Sequence, residues 1–190
     1  MTRAVWDNLL AEARTAHQGA LAAFCPFPDD LKPRDPRPYR IRPAALFEVE
    51  ALTDPLARAY QEASPVAQWR ETWKGSDIDA TFLDRFGCYC LIGGGGAFMS
   101  KSMAAYLVYM PPGLHYPWHQ HPAEEIYFVL AGSATFRRAG AAPQVLGPGQ
   151  HVVHASNQPH ATTTLDQPLL AHVLWKGDLT VKPTWARGAL

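Results

Sequence analysis

Residues 113–132 read GLHYPWHQHPAEEIYFVLAG, and the spacing His119-x-His121-x3-Glu125-x-Tyr127 sits inside them. Neutral imidazole binds borderline divalent ions, and carboxylate suits the harder ones. Alternate residues of a strand share a face. His119, His121, Glu125 and Tyr127 are all odd-numbered, so a strand running past any kink at Pro122 points all four inward. Ile126, Phe128 and Leu130 then point the other way. The spacing predicts a metal site with a phenol beside it. A second histidine segment, PGQHVVHASNQPH over 148–160, can supply a fourth ligand, and His160 is the best candidate. His115, His151 and His154 are read as surface residues or as supports behind the ligands.

Outward from this stretch the second half of the chain reads as β-structure. MAAYLVYM (103–110), EEIYFVLAGSATFRR (124–138), QVLGPGQHVVHA (144–155), HATTTL (160–165) and LLAHVLWKG (169–177) are short apolar runs separated by Gly and Pro. That pattern predicts a sandwich or barrel. The glycines 93–96 lack the Lys-Ser/Thr and helix of a phosphate loop and are read as a flexible turn.

The first half reads as helical. Val5, Leu9, Ala13, Ala16 and Ala20 recur at helical spacing over 4–24. Six prolines in 25–43 exclude a helix there and predict an extended linker. Asp54 and Pro55 predict the cap and first turn of a helix over 54–63, and a third helix is expected over 64–73. The expected organisation is a helical extension over 1–85, containing the linker and packed on a barrel over 86–190.

Bulk composition narrows the function classes. Lys+Arg and Asp+Glu are both 17 in 190 residues, so the chain carries neither a basic footprint for nucleic acid nor a polybasic membrane signal. No run approaches transmembrane length, and the N-terminus lacks a secretory pattern, so a cytoplasmic protein is expected. Cys25, Cys88 and Cys90 are too few, and odd in number, for a disulfide framework. Cys88 and Cys90 share one face of a strand and read as core residues, with a metal or redox pair as the lesser reading.

The first motif resembles that of the cupin superfamily, G-x5-H-x-H-x3–4-E-x6-G, matched at Gly113, His119, His121, Glu125 and Gly132. The second, G-x5-P-x-G-x2-H-x3-N, is matched at Gly149 and His160. Ala155 stands where Pro is usual, Asn157 where Gly is usual and Thr164 where Asn is usual. Asn tolerates a left-handed backbone, so the turn is expected to survive. The resemblance implies a mainly β fold, the double-stranded β-helix or jelly-roll barrel. It also implies one divalent metal ion on three His and one Glu, which are here His119, His121, His160 and Glu125. Zn, Fe, Mn, Co and Ni are all compatible with that donor set.

A narrower resemblance rests on the helical first half, on Tyr116-x2-His119-x-His121-x3-Glu125-x-Tyr127, and on Trp175 after the last His. These look like the cupin-type dimethylsulfoniopropionate (DMSP) lyases. That family cleaves DMSP, its small-molecule substrate, to dimethyl sulfide and acrylate by β-elimination. A tyrosine takes the proton beside the carboxylate, which Tyr127 or Tyr116 could do here. Among the aromatic faces that could host a sulfonium, parity turns Trp118 and Phe128 away from the metal, so Trp175 and Tyr106 are favoured. The alternative enzyme is another cupin metalloenzyme, an iron-dependent dioxygenase or an isomerase, acting on a small carboxylate. A non-catalytic sensor is the third reading, disfavoured because no basic recognition helix is visible. Analogy with cupins suggests a homodimer.

Overall fold

The computed structural model describes residues 2–186. Residues 1 and 187–190, the outer ends of the two expected parts, lie outside the described residues. Twelve strands run in chain order among those described: β1 (Lys32–Pro33), β2 (Gly87–Ile92), β3 (Phe98–Met99), β4 (Ala104–Met110), β5 (His115–Gln120), β6 (Glu124–Gly132), β7 (Ala134–Arg138), β8 (Gln144–Leu146), β9 (His151–His154), β10 (His160–Thr163), β11 (Leu169–Lys176) and β12 (Thr184–Trp185). They form a seven-stranded sheet, β1-β3-β2-β4-β11-β6-β9, and a five-stranded sheet, β12-β5-β10-β7-β8. The chain repeatedly crosses from one sheet to the other, as the expected jelly-roll barrel requires.

Helices α1 (Thr2–Ala16), α2 (Ala20–Phe24), α3 (Arg42–Phe47), α4 (Pro55–Ala63) and α5 (Ala80–Leu83) precede the long strands. Trp6, Leu9 and Ala13 are the buried stripe of α1. Asp54 caps α4 by accepting from the Ala57 N–H at 2.9 Å, and Pro55 opens its first turn. The helix expected over 4–24 is two helices, because Gly19 adopts φ +52° between them. The helix expected over 64–73 is a single 3-10 turn, Ser64–Val66. The chain after it is extended: Trp69 bridges Tyr89 in antiparallel fashion, and the Arg70 N–H donates to the Cys88 carbonyl.

The helices explain why β4 is buried at every residue. One face of the seven-stranded sheet packs against them, with Tyr89, Leu91, Leu107, Tyr109, Ile126 and Leu174 meeting Trp6, Leu9, Phe47 and Tyr60. The other face packs inside the barrel, with Tyr106, Val108, Tyr127, Val129 and Val173 meeting Tyr116 and Phe136. A strand buried on both faces reads as a continuous apolar run, as AAYLVYM does. The helical part does not stop at the barrel wall. Lys32–Pro33 adds an edge strand, and Trp73 and Phe82 join the interior cluster.

Residues 124–138 are two strands, because the chain turns at Gly132, the last residue of β6. Gly132 adopts φ +70°, and a Cβ there would lie 1.8 Å from the Pro168 carbonyl oxygen, so only Gly fits. Likewise 144–155 is two strands, β8 and β9. The segment 93–96 does turn between strands, with the Gly93 N–H donating to the Phe98 carbonyl.

Candidate metal centre

The decisive stretch folds differently from the single strand that parity assumed. β5 belongs to the five-stranded sheet and β6 to the seven-stranded sheet, with a corner at Pro122–Ala123 between them. His119 therefore reaches in from one wall, His121 from the corner and Glu125 from the other wall. Tyr127 follows Glu125 on the same inward face of β6, while Phe128 packs against the helical layer. Trp118 lines an outer groove instead of the interior.

His160 arrives from β10, directly opposite His119 in the antiparallel ladder. Two departures from the second motif explain how it is held. Asn157 is the one described non-Gly residue at positive φ, 56°, and its N–H donates to the His121 carbonyl. The left-handed turn thus survives the loss of Gly and ties the two ligand segments together. Thr164 stands in for the usual Asn. Its hydroxyl donates to the Pro111 carbonyl at 2.7 Å and accepts from the Leu114 N–H at 2.9 Å.

His119, His121, Glu125 and His160 are all about 2% exposed or less, which leaves no bulk water to satisfy their polar atoms. The Nδ1 atoms of the three histidines lie 2.8, 2.9 and 2.8 Å from the carbonyls of Pro117, Ala123 and Gln158. A carbonyl only accepts, so each Nδ1 must carry the proton. Each Nε2 is then a free lone pair, and the Nε2 atoms of His121 and His160 are buried without a hydrogen-bond partner. The ligating atoms of His119, His121 and His160 lie within 4.8 Å of one another, as do those of Glu125, His154 and His160. Convergent lone pairs with tautomers fixed from behind are the arrangement a divalent ion requires. The donor set fits such an ion.

Glu125 is the hub. Its Oε2 lies 2.9 Å from His154 Nδ1, 3.2 Å from His160 Nε2 and 3.5 Å from His121 Nε2. Its Oε1 accepts from the Trp175 indole N–H at 2.6 Å. Burial pushes the carboxyl up, but with no ion bound the charge of a protonated His121, then ring N–H donors from His121, His154 and His160, would hold it well below the usual range. Burial, reinforced by His160 and His121, takes His119 well below the ordinary histidine value. Burial and the stacked His160 ring lower His154 to about 4.

His154 lies directly across the ladder from Glu125, buried, and orients its carboxylate. His115 and His151 are exposed. Trp175 does more than offer a face, because its N–H fixes Glu125. Tyr106 lines the same cavity, but the Arg70 guanidinium already lies 5.2 Å above its ring. Cys88 also lines the cavity wall, and burial pushes its thiol up to about 11, so it sits there as a neutral core residue.

The two tyrosines are placed differently. Tyr116 stacks on His119, with centroids 4.0 Å apart, and its hydroxyl accepts from the Trp73 indole N–H at 2.9 Å. The Tyr127 hydroxyl has no hydrogen-bond partner among the described residues, though its ring lines the cavity beside Glu125. Burial pushes both phenols above their ordinary value. The cavity they share is small, ≈ 50 Å³. Trp73 meets both Tyr116 and His119 and stacks on Trp185, with centroids 3.5 Å apart. Sequence reasoning missed Trp73, Trp185 and Arg70, because nothing local marks residues on an irregular segment as neighbours of a distant strand.

A dimethylsulfoniopropionate lyase family model matches residues 29–171. Dimethylsulfoniopropionate lyase DddQ of Ruegeria pomeroyi is 54% identical over 96% of this chain and 94% of its own length. The crystal structure of DMSP lyase DddQ from that organism superposes with a TM-score of 0.93 at 53% identity, covering 96% of each chain. A structure from work on the DMSP lyases RdDddP and RnDddQII superposes at 0.92 with 34% identity, covering 98% of this chain and all of the other. The chain belongs to the dimethylsulfoniopropionate lyase family.

Proposed function

We propose that Tyr127 is the general base of a β-elimination in which this chain cleaves dimethylsulfoniopropionate to dimethyl sulfide and acrylate. The chain is a carbon–sulfur lyase, and family membership at this identity carries that reading. His119, His121, Glu125 and His160 are the residues that would hold the divalent ion. When bound, that ion would withdraw charge from the substrate carboxylate and favour ionised oxygens around it.

The chain's own groups supply the rest. A buried phenol is a poor base while neutral, and both tyrosines are buried. What favours Tyr127 is that its oxygen carries no competing hydrogen bond, whereas the Tyr116 oxygen is held by Trp73. Tyr127 takes a proton from the carbon beside the carboxylate. The electrons of that C–H bond form the double bond of acrylate, and dimethyl sulfide leaves the neighbouring carbon with the C–S electron pair. Tyr116, stacked on His119, positions the substrate and the ligand ring. Trp175 and His154 fix the Glu125 carboxylate. The buried ligand and tyrosine side chains limit the water around the developing anion.

Headspace dimethyl sulfide and acrylate, measured on one metal-loaded sample after adding DMSP, test the reading. Equimolar release above the background elimination rate is expected, and its absence overturns the assignment. Metal analysis of the same sample identifies the ion.

A further inference from the structure

The walls of the catalytic cavity carry one cation, Arg70, and the structure gives it no acid. Arg70 lies on the extended segment beside β2. Its neighbour Trp69 turns outward into the helical layer, so by alternation the Arg70 side chain turns inward, over Tyr106. It lines both the cavity with the histidines and a surface groove of ≈ 410 Å³ on the far side. The other cations of that groove are neutralised. Arg40 pairs with Glu48 at 2.7 Å, Arg42 with Asp84 at 2.7 Å and Lys74 with Glu71 at 2.9 Å. Arg70 is partly buried, and among the described residues no carboxylate lies in salt-bridge range of it.

A guanidinium withdrawn from water without an anion is costly, and it is retained where an anion arrives from outside. We propose that Arg70 is the specificity residue that recognises the carboxylate of the substrate at the cavity wall and sets its direction. The inference rests on the lyase reading. DMSP carries a carboxylate at one end and a sulfonium at the other, and a fixed cation distinguishes them. It attracts the carboxylate end and repels the sulfonium end. Tyr106, already covered by the guanidinium, is then no sulfonium host. Trp175, 5.4 Å from Tyr106 and covered by no described cation, keeps that role. Because Arg70 also faces the groove, the same group meets the carboxylate end of the zwitterionic substrate on entry and acrylate on departure.

The test separates charge recognition from simple structural support. Propionate mimics one end of the substrate and trimethylsulfonium the other, and each is titrated calorimetrically into metal-loaded wild type, Arg70→Gln and Arg70→Lys. Propionate affinity should fall roughly tenfold to hundredfold in Arg70→Gln, the loss expected for a charge-assisted hydrogen bond. Trimethylsulfonium affinity should hold or rise. Arg70→Lys keeps the charge but not the planar fork, and should lose only a fewfold in propionate affinity. KM for DMSP should rise with the propionate constant more than kcat falls. Equal losses for both probes, or unchanged propionate binding in both variants, would overturn the assignment. If Arg70→Gln does not fold, unchanged propionate binding in Arg70→Lys alone overturns it. Failure of the lyase reading is a different result, namely wild type that releases no dimethyl sulfide yet still binds propionate.

Discussion

The two faces of the seven-stranded sheet both bury histidine, and they use it for opposite ends. On the helix-facing side His172 lies 2.6 Å from the Tyr60 hydroxyl, which pins α4 to β11. Around it most polar atoms find protein partners: the Trp69 indole N–H donates to the Ser64 carbonyl and the Tyr89 hydroxyl to the Tyr60 carbonyl, with the Trp6 indole, the His17 Nδ1 and one Arg3 nitrogen left over. On the barrel-facing side His119, His121 and His160 are partnered only at the back, and His154 by Glu125. The Nε2 atoms of His121, His154 and His160 are buried and unpaired. Burial therefore does not identify a functional histidine. Scattered unpaired atoms, as at Trp6 and His17, accompany a network that holds two layers together, whereas unpaired ring nitrogens that converge beside a carboxylate wait for a ligand.

Breaking the inner side should abolish function without unfolding the protein. Tyr127→Phe removes the proposed base and should lower kcat by about 10²- to 10⁴-fold with metal content unchanged. Tyr116→Phe should cost less, and a larger loss there would exchange the two roles. Removing the metal tests the ligands directly. Chelated protein should melt lower, because an ion held at about a thousand times its dissociation constant adds about 4 kcal/mol. Ala in place of His121 or His160 should remove that shift, seen as melting curves that no longer respond to added metal. Trp175→Phe keeps the ring and deletes the donor to Glu125, so metal affinity should fall about tenfold to a hundredfold. A competition titration with a chromophoric chelator reads that change, and an unaltered affinity would reduce Trp175 to a substrate contact.

The comparison also explains what the sequence could reveal. The candidate ligands were legible because three of them lie within seven residues at fixed spacing, and His160 because a second, weaker motif surrounds it. Yet their convergence did not arise as strand parity suggested. His121 and Glu125 share an odd number by coincidence, since Pro122 turns the chain between sheets. The helix at 54–63 was legible from Asp54 and Pro55, both local signals. The helix expected at 64–73 failed because Trp69 is buried toward α3 from an extended segment and Trp73 against Tyr116 from the turn that follows. His154 was ambiguous because His151, three residues earlier on the same short strand, is exposed. Only pairing with β6 decides which of the two meets Glu125.

The outer side gives the smallest effect and the cleanest control. His172 has an ordinary value of 6.5, lowered to about 3 by burial. Between those values the unfolded chain takes a proton that the folded chain refuses. Stability from this site is therefore complete above about pH 6.5 and is lost as pH falls toward about 3. The slope is at most about 1.4 kcal/mol per pH unit for one proton. His172→Gln removes the titration, so its melting temperature should fall less steeply with acid than that of wild type at equal metal loading. Tyr60→Phe should cost about 1–3 kcal/mol by leaving a buried ring nitrogen unpaired, and should leave kcat and metal content alone. If either outer substitution changes metal content or turnover, the two faces are coupled through β11, and the separation between structural and ligating histidines drawn above does not hold.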